Sequence, residues 1–137
     1  MLLQHENLTI RNATEKDAPL LAGWWNDGAV MAHAGFPNGT GQTAGEIAAS
    51  LSQDRDETHR RLIIELAGVP IGEMNYRNKG NGIAELGIKI CDAAQREKGY
   101  GRKLLSMLIG SLFREFGYKK IILDTNVKNT RRKPSRS

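Results

Sequence analysis

Chemistry concentrates in one run of the 137-residue chain, Gln95-Arg96-Glu97-Lys98-Gly99-Tyr100-Gly101-Arg102-Lys103. It stands between a strand-like segment and an amphipathic helical one, where the first amides of a helix lack intrahelical partners. Glycines at 99 and 101 let the backbone approach a ligand and adopt dihedrals that other residues avoid. The spacing predicts a nest of N–H donors at the positive end of a helix dipole, backed by Arg96, Lys98, Arg102 and Lys103. Such a nest binds a pyrophosphate. A Walker loop is excluded, because Gly101 is followed by Arg102-Lys103-Leu104 where Gly-Lys-Ser/Thr is required. A dinucleotide fingerprint fails at its third glycine, where Leu104 stands. Two glycines before a helix are also compatible with a plain turn; the cations and the preceding strand favour phosphate.

The elements that must position this run follow from hydrophobic periodicity. Residues 8–11 alternate as a strand, and Thr14 caps a helix with Asp17 at the capping-box position. Ala18, Leu21 and Trp25 lie on one stripe of that helix, Leu20 and Trp24 on the next. Residues 31–41 read as a loop, and Thr43 opens a second helix reaching about Leu51. Three strands then make an antiparallel meander: 61–66, a turn at 67–70, 71–77, a reversal at 78–82, and 83–90. Leu104, Leu108, Leu112 and Phe116 mark a long helix that Gly117 ends. Residues 119–124 form a last strand whose Ile121-Ile122-Leu123 run suits a sheet covered on both faces. The intervening helix sets that strand parallel to 83–90. The fold class is α/β (α+β), a mixed sheet in one domain over 1–129, followed by a disordered basic tail at 130–137.

Composition excludes several function classes. At 39% hydrophobic and 26% charged, the chain is globular, and no run nears the ~18 apolar residues of a membrane span. Residues 1–6 show no cationic segment, apolar core or small-residue cleavage site, so secretion is not expected. One cysteine, Cys91, and three scattered histidines give no intrachain disulfide and no metal cluster, so a reducing, cytoplasmic setting is expected. The net charge of +5 resides in Lys128, Arg131, Arg132, Lys133 and Arg136; without them, basic and acidic residues balance at fifteen each. The neutral body speaks against nucleic acid as a partner, and a tail contact with it ranks last among the readings. Cys91 reads as a small buried hydrophobe rather than a nucleophile, because no histidine stands ready to activate it.

Arg96-Glu97-Lys98-Gly99-Tyr100-Gly101 resembles the R/Q-x-x-G-x-G/A signature of the GNAT superfamily of N-acetyltransferases. The element order resembles it too, from about Leu8 to Asn129, with Ala84-Glu85-Leu86-Gly87-Ile88-Lys89-Ile90 as the strand ahead of the signature. Within the superfamily the chain is most similar to the branch acting on ribosomal-protein N termini, polyamines or aminoglycosides. The resemblance implies an acetyl-CoA-dependent acyltransferase, without a metal, in which a primary amine of a small molecule or peptide N terminus attacks the thioester directly. It assigns the pyrophosphate to Arg96, Glu97, Lys98, Gly99, Tyr100, Gly101 and Arg102, and pantetheine to the main chain of Ile88, Lys89 and Ile90, with an amide near Ile88 polarising the carbonyl. Asn126 and Asn129 match asparagines that contact the cofactor in relatives, or equally cap a turn.

The attacking ammonium must lose a proton, so a base is required. Glu73, Asn75 and Arg77 share one strand face. If Arg77 opposes Ile83, then Asn75 opposes Glu85, Glu73 opposes Gly87, and the two glutamates lie roughly 7–8 Å apart on a diagonal. Such a pair would raise one pKa and attract a cationic acceptor; the competing reading makes both solvent-facing, balanced by Arg77 and Lys89. Glu85 ranks first as base, directly or through water, and Glu73 second. Trp24, Phe36 and Asn75 are the acceptor-side candidates, with Trp25 beside them and core packing as the alternative for a tryptophan. Asp54, Asp56 and Glu57 suit either a cationic acceptor or a solvated face.

The sequence departs from the family after Asn129, where 130–137 carries neither apolar periodicity nor the tyrosine that protonates the departing thiolate. Tyr100 and Tyr118 do not stand at its position. The ending therefore reads as C-terminally truncated, with an unpaired edge on the last strand that a homodimer or strand exchange would cover. The second functional reading is a catalytically impaired CoA-binding or regulatory module of the same fold.

Overall fold

Apolar alternation and two tight reversals build one six-stranded sheet, in the order β1 (Leu2–His5), β2 (Leu8–Asn12), β3 (His59–Leu66), β4 (Val69–Gly80), β5 (Ile83–Ile90) and β6 (Lys120–Leu123). The computed structural model describes residues 1–27, 41–92, 95 and 98–123. Neighbouring strands pair antiparallel except β5 and β6, which run parallel through the crossover helix α3 (Tyr100–Arg114). Among the described residues, two shorter helices accompany it: α1 (Ala18–Trp25), entered through a 3₁₀ turn at Glu15–Asp17, and α2 (Ala44–Leu51). Thr43 caps α2 as expected, whereas Thr14 precedes the 3₁₀ turn without a side-chain cap bond and Asp17 stands at the N-cap of α1. The Asp17 carboxylate accepts from the Thr14 amide at 2.7 Å, and Thr43 Oγ1 accepts from the Glu46 amide at 3.1 Å. Strand β1 was not anticipated; Leu2-Leu3-Gln4-His5 is too short to show a period, and its pairing with β2 defines it.

The sheet divides two cores. Leu104, Leu108 and Leu112 of α3 pack on Ile10, Leu62, Ile64, Met74, Tyr76, Ala84 and Leu86. On the opposite face, Ala18 and Leu21 of α1 and Ile47 and Leu51 of α2 meet the sheet at Ile63. Tyr76 is sealed inside the first core, edge-on to Phe116 at 5.8 Å and to Tyr118 at 6.4 Å. The last strand departs from expectation: Ile121 and Leu123 pack against the α3-side core, whereas Ile122 is 37% exposed. Alternation aims Ile122 at the other face, where α1 and α2 meet the sheet at β3 rather than at β6.

Two bulges set the register. One, between Ile64 and Glu65 of β3, leaves Ile71 unmatched on β4 and delivers its side chain to the α3-side core. The other lies between Asn78 and Gly80, just before a two-residue hairpin at Asn81 (φ 58°) and Gly82 (φ 76°). Between these irregularities β4 and β5 approach closely at Gly72, where an added Cβ would stand 2.3 Å from the Lys89 carbonyl oxygen. At Gly87 an added Cβ would instead meet the exposed Asn75 side chain at 2.9 Å, which has room to swing away. Gly72→Ala is therefore expected to lower unfolding free energy by about 1–3 kcal/mol, as overpacking against backbone does, and Gly87→Ala by less than about 1 kcal/mol. Urea unfolding of the two variants checks the contrast.

Candidate active site

Helix α3 starts on Gly99, which sits in the left-handed region at φ 84° and gives its helix no side-chain cap. A Cβ added at Gly99 or at Gly101 would meet no atom of the described residues within 4 Å, so among them open space fronts the first turn. No acidic residue occupies that turn, and Lys98, Arg102 and Lys103 are exposed around it. Lys103 reaches Glu6 at 3.5 Å. This is an uncapped amide cluster with surplus positive charge at the dipole's positive end, the chemistry a pyrophosphate requires. The residues present therefore fit the phosphate end of a coenzyme A. Of the segment assigned to that role, Arg96 and Glu97 lie outside the described residues, as do Asn126, Asn129 and Phe36.

Strand β5 leads to this head. Its parallel ladder with β6 runs from Ile83↔Lys120 to Leu86↔Leu123, where the described part of β6 ends. On its antiparallel side, Ile88 pairs with Met74, and Lys89 with Glu73.

That pairing corrects the expected register. Arg77 opposes Glu85, Asn75 opposes Gly87, and Glu73 opposes Lys89, a shift of two residues from the expected Arg77–Ile83, Asn75–Glu85 and Glu73–Gly87 pairs. The strand runs on to Gly80 and turns at Asn81-Gly82, whereas the reversal is expected over 78–82. This tighter hairpin moves each partner by three, the residue absorbed between Asn78 and Gly80 takes one back, and sequence alternation cannot see either. A shift of two preserves the faces, so Glu73, Asn75, Glu85 and Lys89 do share the α1 side of the sheet. The glutamates are not diagonal neighbours, however. Glu85 lies four residues along β5 from the partner of Glu73, about 13 Å at strand spacing.

Their surroundings differ accordingly. Glu85 is half-buried opposite exposed Arg77, while Glu73 is only 6% exposed. The Glu73 carboxylate accepts a hydrogen bond from the Trp25 indole N–H, and its Oε2 stands 4.0 Å from Lys89 Nζ. Burial pushes the Glu73 carboxyl above its ordinary value, against the opposing pulls of Lys89, the Trp25 N–H and Arg61. A raised carboxyl was expected from a neighbouring carboxylate; desolvation is the cause instead.

Trp24 and Trp25 are both half-buried and both pack on buried Cys91, so both tryptophans join the inner wall of this face. Asn75 is exposed. The acidic run offers little to a ligand: Asp54 is buried against Arg61, which reaches it at 2.6 Å, and against His59 at 3.2 Å, while Asp56 pairs with Arg60 at 2.8 Å. The Trp25–Glu73 bond is the feature that sequence reasoning missed, since 48 residues separate its partners and no local pattern links them. Tyr118 is buried, with its hydroxyl pushed up by desolvation, consistent with a packing role. Among the described residues there is no metal-binding group of His, Cys, Asp and Glu, and no helix long and apolar enough to cross a membrane.

This helix head after a mixed-sheet strand has counterparts in known proteins. A family model described as an acetyltransferase (GNAT) domain matches residues 7–133. The chain belongs to the GNAT family of acetyltransferases, which move acetyl groups from acetyl-CoA to amines. The fold is shared with a spermidine N-acetyltransferase from Vibrio cholerae solved with CoA and spermine, at 23% identity and TM-score 0.72, over 87% of this chain and 71% of that one. It is shared with the aminoglycoside acetyltransferase AAC(6')-Ib in complex with coenzyme A, at 25% identity and TM-score 0.69, over 85% and 73%. A ribosomal-protein-S5-alanine acetyltransferase from Vibrio fischeri aligns at 16% identity and TM-score 0.72, over 90% and 73%. No curated protein matches the chain.

The buried carboxyl makes a stability prediction. Its raised value means that the folded chain holds the Glu73 proton more tightly than the unfolded chain, so stability is lost as pH rises through that value. Glu73→Gln keeps an acceptor oxygen for Trp25 and removes that loss. Its Tm is expected to exceed the native one near about pH 8 and to approach it near about pH 4, measured by thermal unfolding at both.

Proposed function

We propose that this chain acetylates a primary amine by direct attack on acetyl-CoA, with both substrates bound together. The observation that carries the reading is the head of α3: uncapped amides on a left-handed glycine, open space before them and cations around them, at the end of β5. In this reading Arg96, Glu97, Lys98, Gly99, Tyr100, Gly101 and Arg102 hold the pyrophosphate, and Asn126 and Asn129 contact the same ligand. The main chain of Ile88, Lys89 and Ile90 orients the pantetheine arm, and an amide near Ile88 faces the carbonyl oxygen on which charge develops. When bound, acetyl-CoA supplies the activated acyl group; the protein's task is to align it with a neutral amine.

Glu85 takes the proton from the incoming ammonium, directly or through water. Its half-buried position keeps it within reach of solvent on the same face as Glu73, the second-ranked base, and as Asn75, which with Trp24 and Phe36 makes up the acceptor side. Two carboxylates on that face favour a cationic acceptor, in keeping with the spermine and kanamycin bound by structural neighbours. Peptide N termini carry the same ammonium group and belong to the same test.

Calorimetry with CoA is expected to show saturable binding, and thiol release from acetyl-CoA is expected with one or more of a panel of polyamines, aminoglycosides and peptides. Glu85→Gln is expected to lower kcat/KM for the amine by about 100-fold or more while leaving CoA binding intact. Full activity in that variant would remove Glu85 as the base. CoA binding without turnover of any amine would instead make the chain a binding module.

A further inference from the structure

Three carboxylates are buried among the described residues, and two of them are neutralised in the same way. Asp17 receives both terminal nitrogens of Arg11 at 2.9 Å, and Asp54 receives Arg61 at 2.6 and 3.2 Å. Among the described residues Glu73 receives no guanidinium hydrogen bond: its donor is the neutral indole of Trp25, and the nearest described cation, Lys89, stands at 4.0 Å. A carboxylate so placed is the one whose charge state the fold leaves adjustable.

Its position gives that adjustability a use. Trp25 is the last residue of α1, Glu73 lies in mid-β4, and Lys89 stands between Ile88 and Ile90 on β5. We propose that Trp25 is a positioning residue of the transfer centre: its indole N–H holds the Glu73 carboxylate across from Lys89 and so ties the end of α1 to the strand segment that orients the acyl donor. The proposal rests on the acetyl-transfer reading above. With Glu73 ionised, Trp25 and Lys89 converge on Oε2; protonation neutralises the shared partner and releases the lysine from it.

Among the described residues, the groups that bear on this carboxylate are few. Lys89 faces it from β5 and Arg61 from β3, the latter already paired with Asp54. Its direct partner on β3 is Ile63, and α2 turns Ile47 and Leu51 inward. From α1 it meets the indole, whose ring packs beside the Cys91 thiol.

Heteronuclear NMR of the native chain tests the link without turnover, with Trp24→Phe identifying which of the two indole signals belongs to Trp25. The Trp25 N–H resonance is expected to move with pH through one transition, absent in Glu73→Gln. In kinetics, Trp25→Phe keeps most of the ring and loses the donor. It is expected to move the acid limb of kcat/KM upward by about one pH unit, since a charge-stabilising hydrogen bond is gone. Glu73→Gln and the Trp25→Phe/Glu73→Gln double variant are expected to share one profile. A pH-invariant Trp25 resonance overturns the proposal, as does a limb that Trp25→Phe moves equally with Gln at 73. Absence of product from every amine with the native chain overturns the acetyl-transfer reading, whereas a silent indole alongside normal turnover overturns only the tie.

Discussion

A helix that begins on a left-handed glycine leaves its first amides directed at whatever lies beyond it, and in this chain nothing from the described protein fills that space. The arrangement is tolerable only because those N–H groups remain reachable by water or by a ligand. The rest of the architecture serves to hold that end still. Leu104, Leu108 and Leu112 anchor the helix along one stripe against the sheet, and the parallel β5–β6 pair brackets the crossover. In the proposed reading the coenzyme is held by exposed backbone, and the fold supplies the rigidity that an exposed backbone lacks.

The sheet contributes a division of labour between its faces. One is sealed by α3 with apolar contacts and the buried Tyr76. The other carries polar residues along β4 and β5 at the margin of α1 and α2, where carboxylates persist in settings of unequal burial. Glu85 keeps contact with solvent, while Glu73 exchanges it for an indole and a lysine. Burial alone thereby raises the proton affinity of Glu73.

What the sequence disclosed, and what it withheld, follows from the range of the forces involved. Local signals were legible: the Thr43 cap, the strand at Ile83–Ile90, the leucine stripe of α3 and the glycine signature each depend on residues within a few positions of one another. Strand parity was legible too, because alternation has a period of two, and it placed Glu73 and Glu85 on a common face. The register was not, because the hairpin closes at Asn81-Gly82 rather than over 78–82 and one residue is absorbed between Asn78 and Gly80, which together move each cross-strand partner by two and leave no periodic trace. The burial of Glu73 was hidden for the same reason, since the tryptophan and lysine that define its environment lie on other elements. The four-residue β1 falls below the length at which any pattern can be read.

The adjacency of Trp24 and Trp25 has an optical consequence. These are the chain's only two indoles, they are consecutive, and both rest against Cys91 at the root of the carboxylate-bearing face. Ultraviolet emission excited at the red edge therefore originates from one corner of the molecule, within reach of a thiol able to quench it. The intrinsic fluorescence of this protein is a local gauge of that corner rather than an average over the whole fold.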